Sequence, residues 1–194
     1  MLVSPTAEIA GAAARLVVDE GMDYAQAKRK ALRQLGLTPR GTELPSNEQV
    51  EDEVRSHLAL FCADTQPAEL HALRELALRW MQRLAAFRPH LSGAVWRGTA
   101  TRLSPIHIDL YCDDPKAAEI ALINLGVAYD AAGDGDISVL SLAERCPAFS
   151  EPVTLHLAVR DLDDQRGALK PDTRGRSWRG DAAALQRQLQ QDKA

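Results

Sequence analysis

Apolar residues in the first part of the chain recur at three- and four-residue spacing, which is the repeat of an amphipathic helix. Ile9, Ala13, Leu16 and Val17 form the first such stripe, opened by Ser4-Pro5 and stopped by Gly21. Ala27, Ala31, Leu32 and Leu35 form the second, with Asp23 and Gln26 placed as a cap and Gly36 as the stop. After a loop marked by Pro39, Gly41 and Pro45, the pair Ser46 and Gln49 repeats the capping pattern ahead of Val50, Val54, Leu58 and Phe61. A long fourth helix is predicted after Pro67, carrying Leu70, Leu73, Ala77, Trp80, Met81, Leu84 and Phe87 and closed by Pro89.

Beyond Pro89 the period shortens from helical to alternating. Ala94 to Thr99 is a short strand candidate. Ile106, Ile108, Leu110 and Cys112 alternate with His107, Asp109 and Tyr111, the mark of a strand with one face in a core. Asp113-Asp114-Pro115 then caps a helix through Ile120 and Leu125, ended by Gly126. Short strands are predicted near Val127–Asp130 and Ile137–Leu142, joined by a hairpin turn over Ala132-Gly133-Asp134-Gly135-Asp136. Val153, Leu155, Leu157 and Val159 give the clearest strand. A polar stretch from Asp161 to Gly180 leads to a last helix, Asp181–Gln191. The pattern predicts a mixed α/β (α+β) protein: a helical part over 1–88 and, over 89–194, a small mixed sheet with helices packed on it, the two forming one compact unit.

Composition narrows the function. With 194 residues, 45% hydrophobic and 26% charged, the chain has the make-up of a globular domain that needs no staples. Its net charge of −4 speaks against broad DNA or RNA binding, which calls for a basic surface. Cys62, Cys112 and Cys146 lie far apart and fit no common zinc spacing or disulfide framework. The start of the chain shows no leader pattern and no apolar stretch is long enough for a membrane span, so the expected location is cytoplasmic, with no membrane partner. No GxxxxGK[ST] loop, GxGxxG fingerprint or nucleophile triad context occurs.

The strongest chemical lead is Gly98-Thr99 followed by Ser104-Pro105-Ile106-His107-Ile108-Asp109-Leu110-Tyr111. Strand residues two apart point to one face, so side chains at 107 and 109 can approach a common ligand. Glycine lets a backbone approach phosphate, and a neighbouring hydroxyl can donate to it. This run, with Phe87-Arg88-Pro89 before it and Asp113-Asp114-Pro115-Lys116 and Leu125-Gly126-Val127-Ala128-Tyr129 after it, resembles a bacterial nucleotidyltransferase-like family. Tyr24-Ala25-Gln26-Ala27-Lys28-Arg29-Lys30 and Leu44-Pro45-Ser46-Asn47 are similar to members as well, so the resemblance runs from about Ile9 to Gln190.

The resemblance implies the nucleotidyltransferase fold and metal-dependent transfer of a nucleoside monophosphate from a nucleoside triphosphate to a protein, RNA or small-molecule hydroxyl. It places Gly98, Thr99 and Arg102 at the phosphates and Asp109 on a Mg2+ or Mn2+ ion, with His107 in a catalytic position normally held by an acid. The motif is degenerate: Thr99 replaces a serine, and the later strand Val153–Arg160 offers His156 but no acid before Asp161. The alternative is a catalytically inactive regulatory or protein/RNA interaction module on the same fold.

The same positions leave another choice open. His107, Asp109 and His156 either converge as two imidazoles and a carboxylate suited to zinc or ferrous iron, or are polar residues on an outer sheet face. Lys28-Arg29-Lys30 with Arg33 and Arg40 either holds a phosphate-rich partner such as tRNA or is a solvated helix face. The segment Asp172-Thr173-Arg174-Gly175-Arg176-Ser177-Trp178-Arg179 either grips phosphate and stacks on a base or anchors the tail through Trp178.

Overall fold

The computed structural model describes residues 4–134, 137–172 and 174–192. The chain divides into two compact units, Met1–Pro67 and Ala68–Ala194. The division falls in the first turn of the fourth helix, so that all of this helix but Gln66 and Pro67 counts with the sheet.

The first unit holds α1 (Pro5–Glu20), α2 (Tyr24–Gln34) and α3 (Asn47–Phe61). Their ends are set by short side chains that satisfy free backbone N–H groups. Ser4, Asp23 and Ser46 each accept from the third residue on, and Ser46 with Gln49 closes a reciprocal capping box. Gly21 takes a left-handed conformation at φ 67° and ends α1. Ile9, Ala13, Ala27, Ala31, Val50 and Val54 are completely buried in one cluster, the alanines letting the helices approach closely.

The second unit takes nearly all of α4 (Gln66–Arg83), followed by a short 3-10 turn, Ala85–Phe87. It continues through β1 (His90–Ser92), α5 (Gly93–Arg97), β2 (Ile106–Tyr111), α6 (Pro115–Asn124), β3 (Asp130–Asp134) and β4 (Ile137–Glu144). After these come β5 (Val153–Arg160), a 3-10 stretch Leu162–Gly167, β6 (Arg179–Asp181) and α7 (Ala182–Gln191). Six strands form one sheet in the order β3-β4-β5-β2-β1-β6. Only the central β2–β5 pair among these is parallel. The protein is thus a mixed α/β structure.

Period-2 alternation splits the two central strands cleanly. Ile106, Ile108 and Leu110 of β2 and Leu155 and Leu157 of β5 are completely buried, joined by Leu73, Ala77 and Met81 of α4, Leu122 of α6 and Leu185 of α7. Each Leu, Ile or Met side chain among them contributes about 1.5–3 kcal/mol on burial. The opposite face of the same strands carries His107, Asp109 and Tyr111 and, in register, His156, Ala158 and Arg160.

The sequence pattern gives no strand at β1 (His90–Ser92), and three further elements differ from it. The strand expected over Ala94–Thr99 is the helix α5: the chain turns at Gly93 (φ 70°), buries Val95 and stops at left-handed Gly98, whose N–H bonds Ala94 O. Five residues are too few for the alternating and helical periods to be told apart. β3 starts at Asp130 rather than ending there, so Ala132 and Gly133 belong to the strand, while Gly135 and Asp136 of the expected turn lie outside the described residues. The edge strand β6 sits in the polar stretch and carries no alternating signal. Gly180 makes it possible, since a Cβ there would overlap the Trp96 ring, whose Nε1 donates to Ser177 O at 2.9 Å.

Candidate functional site

Asp109 is fixed by its strand. It sits mid-β2 with His90 of β1 on one side and Ala158 of β5 on the other, only 3% exposed. A carboxylate so enclosed needs partners, and two guanidiniums supply them. Arg160, the last residue of β5, donates from Nε to Oδ1 at 2.7 Å. Arg179, the first residue of β6, brings its Nε to 3.2 Å from Oδ2. That second N–H is not aimed at the oxygen, so the contact is ionic without being a formed hydrogen bond. Each guanidinium keeps about a quarter of its side-chain surface in water, 25% for Arg160 and 26% for Arg179.

Tyr111 lies two residues on and shares this face. Its hydroxyl is 3.5 Å from Arg179 Nη1, and its ring meets His90 edge-on at 5.3 Å. Desolvation raises the phenol's pKa, Asp109 raises it further, and Arg179 opposes both.

A second row crosses the sheet beside Asp109. Register places Arg179, Ser92, His107, His156 and Ser141 side by side on five successive strands. His107 and His156 stack with ring centroids 5.1 Å apart, and Ser141 Oγ is 2.8 Å from His156 Nδ1. Gly93 closes the other flank of His107: a Cβ there would come within 3.2 Å of the ring. Crowding withdraws water from both rings although His107 keeps an exposed edge. Desolvation lowers the pKa of each; for His107 the charge of His156 adds to this, against a smaller opposing pull from Asp109.

The structure therefore brings together His107, Asp109 and His156 on one face, as their spacing suggests, but with other chemistry around them. Among the described residues no group of three or more His, Cys, Asp and Glu side chains is arranged to hold a metal ion. The donor set does not suit Mg2+ or Mn2+, which seek hard anionic oxygens, because both oxygens of Asp109 already face guanidiniums. For zinc, the one acid that would join the two imidazoles is already taken up by guanidiniums.

Gly98 and Thr99 lie elsewhere. A Cβ at Gly98 would meet only Arg74 Nη2 and Leu70 of α4 within 4 Å, and Thr99 is 3% exposed. Arg102 is exposed on the loop before β2, its backbone N–H bonded to Glu69 Oε2 at 2.9 Å. The neighbours of Gly98 are thus on α4, whereas Ser92 and Gly93 adjoin His107.

Arg160, Arg179, Ser92 and Gly93 complete this face. Arg160 was discoverable, being four residues after His156 on the same strand phase. Arg179 stood out only as part of an arginine-rich tail. In that tail Trp178 is 38% exposed and lies under the Arg97 guanidinium at 3.8 Å. In the helical unit, Lys28 Nζ binds Pro45 O and Asn47 Oδ1, and Lys30 pairs with Glu20, while Arg29, Arg33 and Arg40 are exposed. No described helix is long and apolar enough to cross a membrane.

No family model and no curated protein matches the sequence. Among solved structures, the MgGTP-bound Cid1 poly(U) polymerase, reported with a mechanism for UTP selectivity, is similar at TM-score 0.40 and 13% identity, over 54% of this chain and 38% of that one. A second Cid1 structure, described for RNA terminal uridylyl transferase activity, is similar at TM-score 0.34 and 15% identity, over 50% of this chain and 31% of that one. The chain thus spans well under half the length of either.

Proposed function

We propose that the second unit is a nucleotidyltransferase-like domain that no longer performs metal-dependent nucleotidyl transfer and acts as a binding or regulatory module. The nucleotidyltransferase part rests on the sequence resemblance through Ile108-Asp109-Leu110-Tyr111 and its surroundings, and the mixed sheet with Asp109 on a central strand supports it. The loss of transfer rests on one observation: both oxygens of the retained acid face guanidiniums, Arg160 on one side and Arg179 on the other. Transfer by this chemistry needs divalent ions to offset the charge of the moving phosphoryl group. A carboxylate that already neutralises arginine has no charge to spare for them, and His107 adds a soft nitrogen where an acid would be needed.

The direct test is incubation of the full chain with α-labelled nucleoside triphosphates, Mg2+ or Mn2+, and protein and RNA acceptors. The expected result is no label on any acceptor above the no-enzyme level. Labelling that disappears in Asp109→Asn overturns the reading.

A further inference from the structure

Both carboxylate contacts at Asp109 are made through Nε atoms. An arginine held at Nε keeps four more N–H groups, on the terminal fork of Nη1 and Nη2, for other acceptors. Among the described residues, the Arg160 fork makes no hydrogen bond and the Arg179 fork makes only the long 3.5 Å approach to Tyr111. The two side chains keep 25% and 26% of their surface in water, while the Arg179 Nε is buried. Two guanidiniums are thus anchored by one nearly buried acid, each partly open to water on the polar face of the sheet. Anchoring removes much of the rotamer entropy that an arginine otherwise loses on gripping a ligand.

The charge does not cancel locally. Asp109 offsets one of the two cations. Asp164 acts on Arg160 from an exposed position, where water screens it. Down the same face run His107, His156 and the Ser92 hydroxyl. His156 to Arg160 spans four residues of extended strand, about 13 Å at ~3.3 Å per residue, room for more than one phosphate.

We propose that this face binds a polyphosphate-bearing ligand directly on the Arg160 and Arg179 forks, without a divalent metal. Guanidinium forks match phosphate oxygens two by two, and the pair supplies the positive charge that metal ions would otherwise bring. This goes beyond the proposed loss of transfer, and each idea can fail alone.

Calorimetric titration of the full chain in EDTA at low salt tests it, with inorganic tripolyphosphate and ATP as ligands and adenosine as control. Saturable binding of tripolyphosphate or ATP without metal is expected, weakening as salt rises. Equal affinities identify the polyphosphate as what is read, and tighter ATP binding identifies a nucleotide. Arg160→Gln and Arg179→Gln should each weaken binding about tenfold or more, the loss of a charge-assisted fork. Asp109→Asn removes the charge that anchors both guanidiniums and should weaken metal-free binding as well, whereas unchanged metal-free affinity in it would overturn the anchoring. If Asp109→Asn does not fold, the metal independence of the native chain decides. Absence of binding in EDTA, a requirement for Mg2+, affinity unchanged in both arginine variants, or equal binding of adenosine overturns the proposal. None of these bears on label transfer, so failure here leaves the non-catalytic reading standing, and label transfer would leave this one.

Discussion

At the scale of single residues, Asp109 holds the polar face together. It ties β2 to the ends of β5 and β6, and removing it would leave two guanidiniums facing each other. Asp109→Ala should lower stability by about 2–4 kcal/mol in urea unfolding, below the full cost of breaking a buried pair because both arginines stay partly in water. Gly180 is as constrained for a steric reason. Gly180→Ala would drive a methyl into the Trp96 ring, and overpacking of this kind costs about 1–3 kcal/mol or more, measurable as a lower Tm. Asp109 itself was legible in the sequence, because alternation on β2 fixes which face it takes. Its two partners were not equally so: Arg160 follows from strand phase, while Arg179 reaches the site from β6, a three-residue edge strand with no pattern of its own. An aspartate's face can be read locally, but what meets it there depends on contacts between residues 70 positions apart, as Asp109 and Arg179 are.

At the scale of elements, the β2–β5 pair sets the chemistry by stacking His107 on His156. Both imidazoles have lowered pKa values in the fold, while in the unfolded chain they titrate near 6.5. Below that pH the unfolded state binds more protons than the folded one, so stability falls as pH drops through 6.5 and is fully present above it. Subtracting the stability–pH profile of a His107→Gln/His156→Gln double variant from that of the native chain should isolate this loss between pH 7 and 5. A flat difference would show that the pair carries no such linkage. Long elements with one clear period, α1, α3, β5 and α7, were readable because many residues repeat the same signal. α5 is not legible as a helix because Ala94, Val95 and Trp96 carry no period over so few residues, and the turn at Gly93 that opens it is a backbone property.

At the scale of the whole molecule, a three-helix unit and a sheet unit each close their own core. Gly98 and Thr99 looked like the phosphate turn because they stand just ahead of β2. The residues that turn toward the β2 polar face are instead Ser92 and Gly93, at the other end of α5, whose helical course carries Gly98 onto α4. Helix and strand geometry thus shift a motif by one short element and change its neighbours entirely. The central claim is that the acid of this face serves arginine and not metal. Titrating Mn2+ into 15N-labelled protein while following the Nε–H signals of Arg160 and Arg179 tests it most directly. The account predicts that both signals persist, with no broadening beyond that of exposed amides elsewhere. Selective broadening of this pair at low Mn2+, with loss of the Arg160 Nε–H signal, would contradict it.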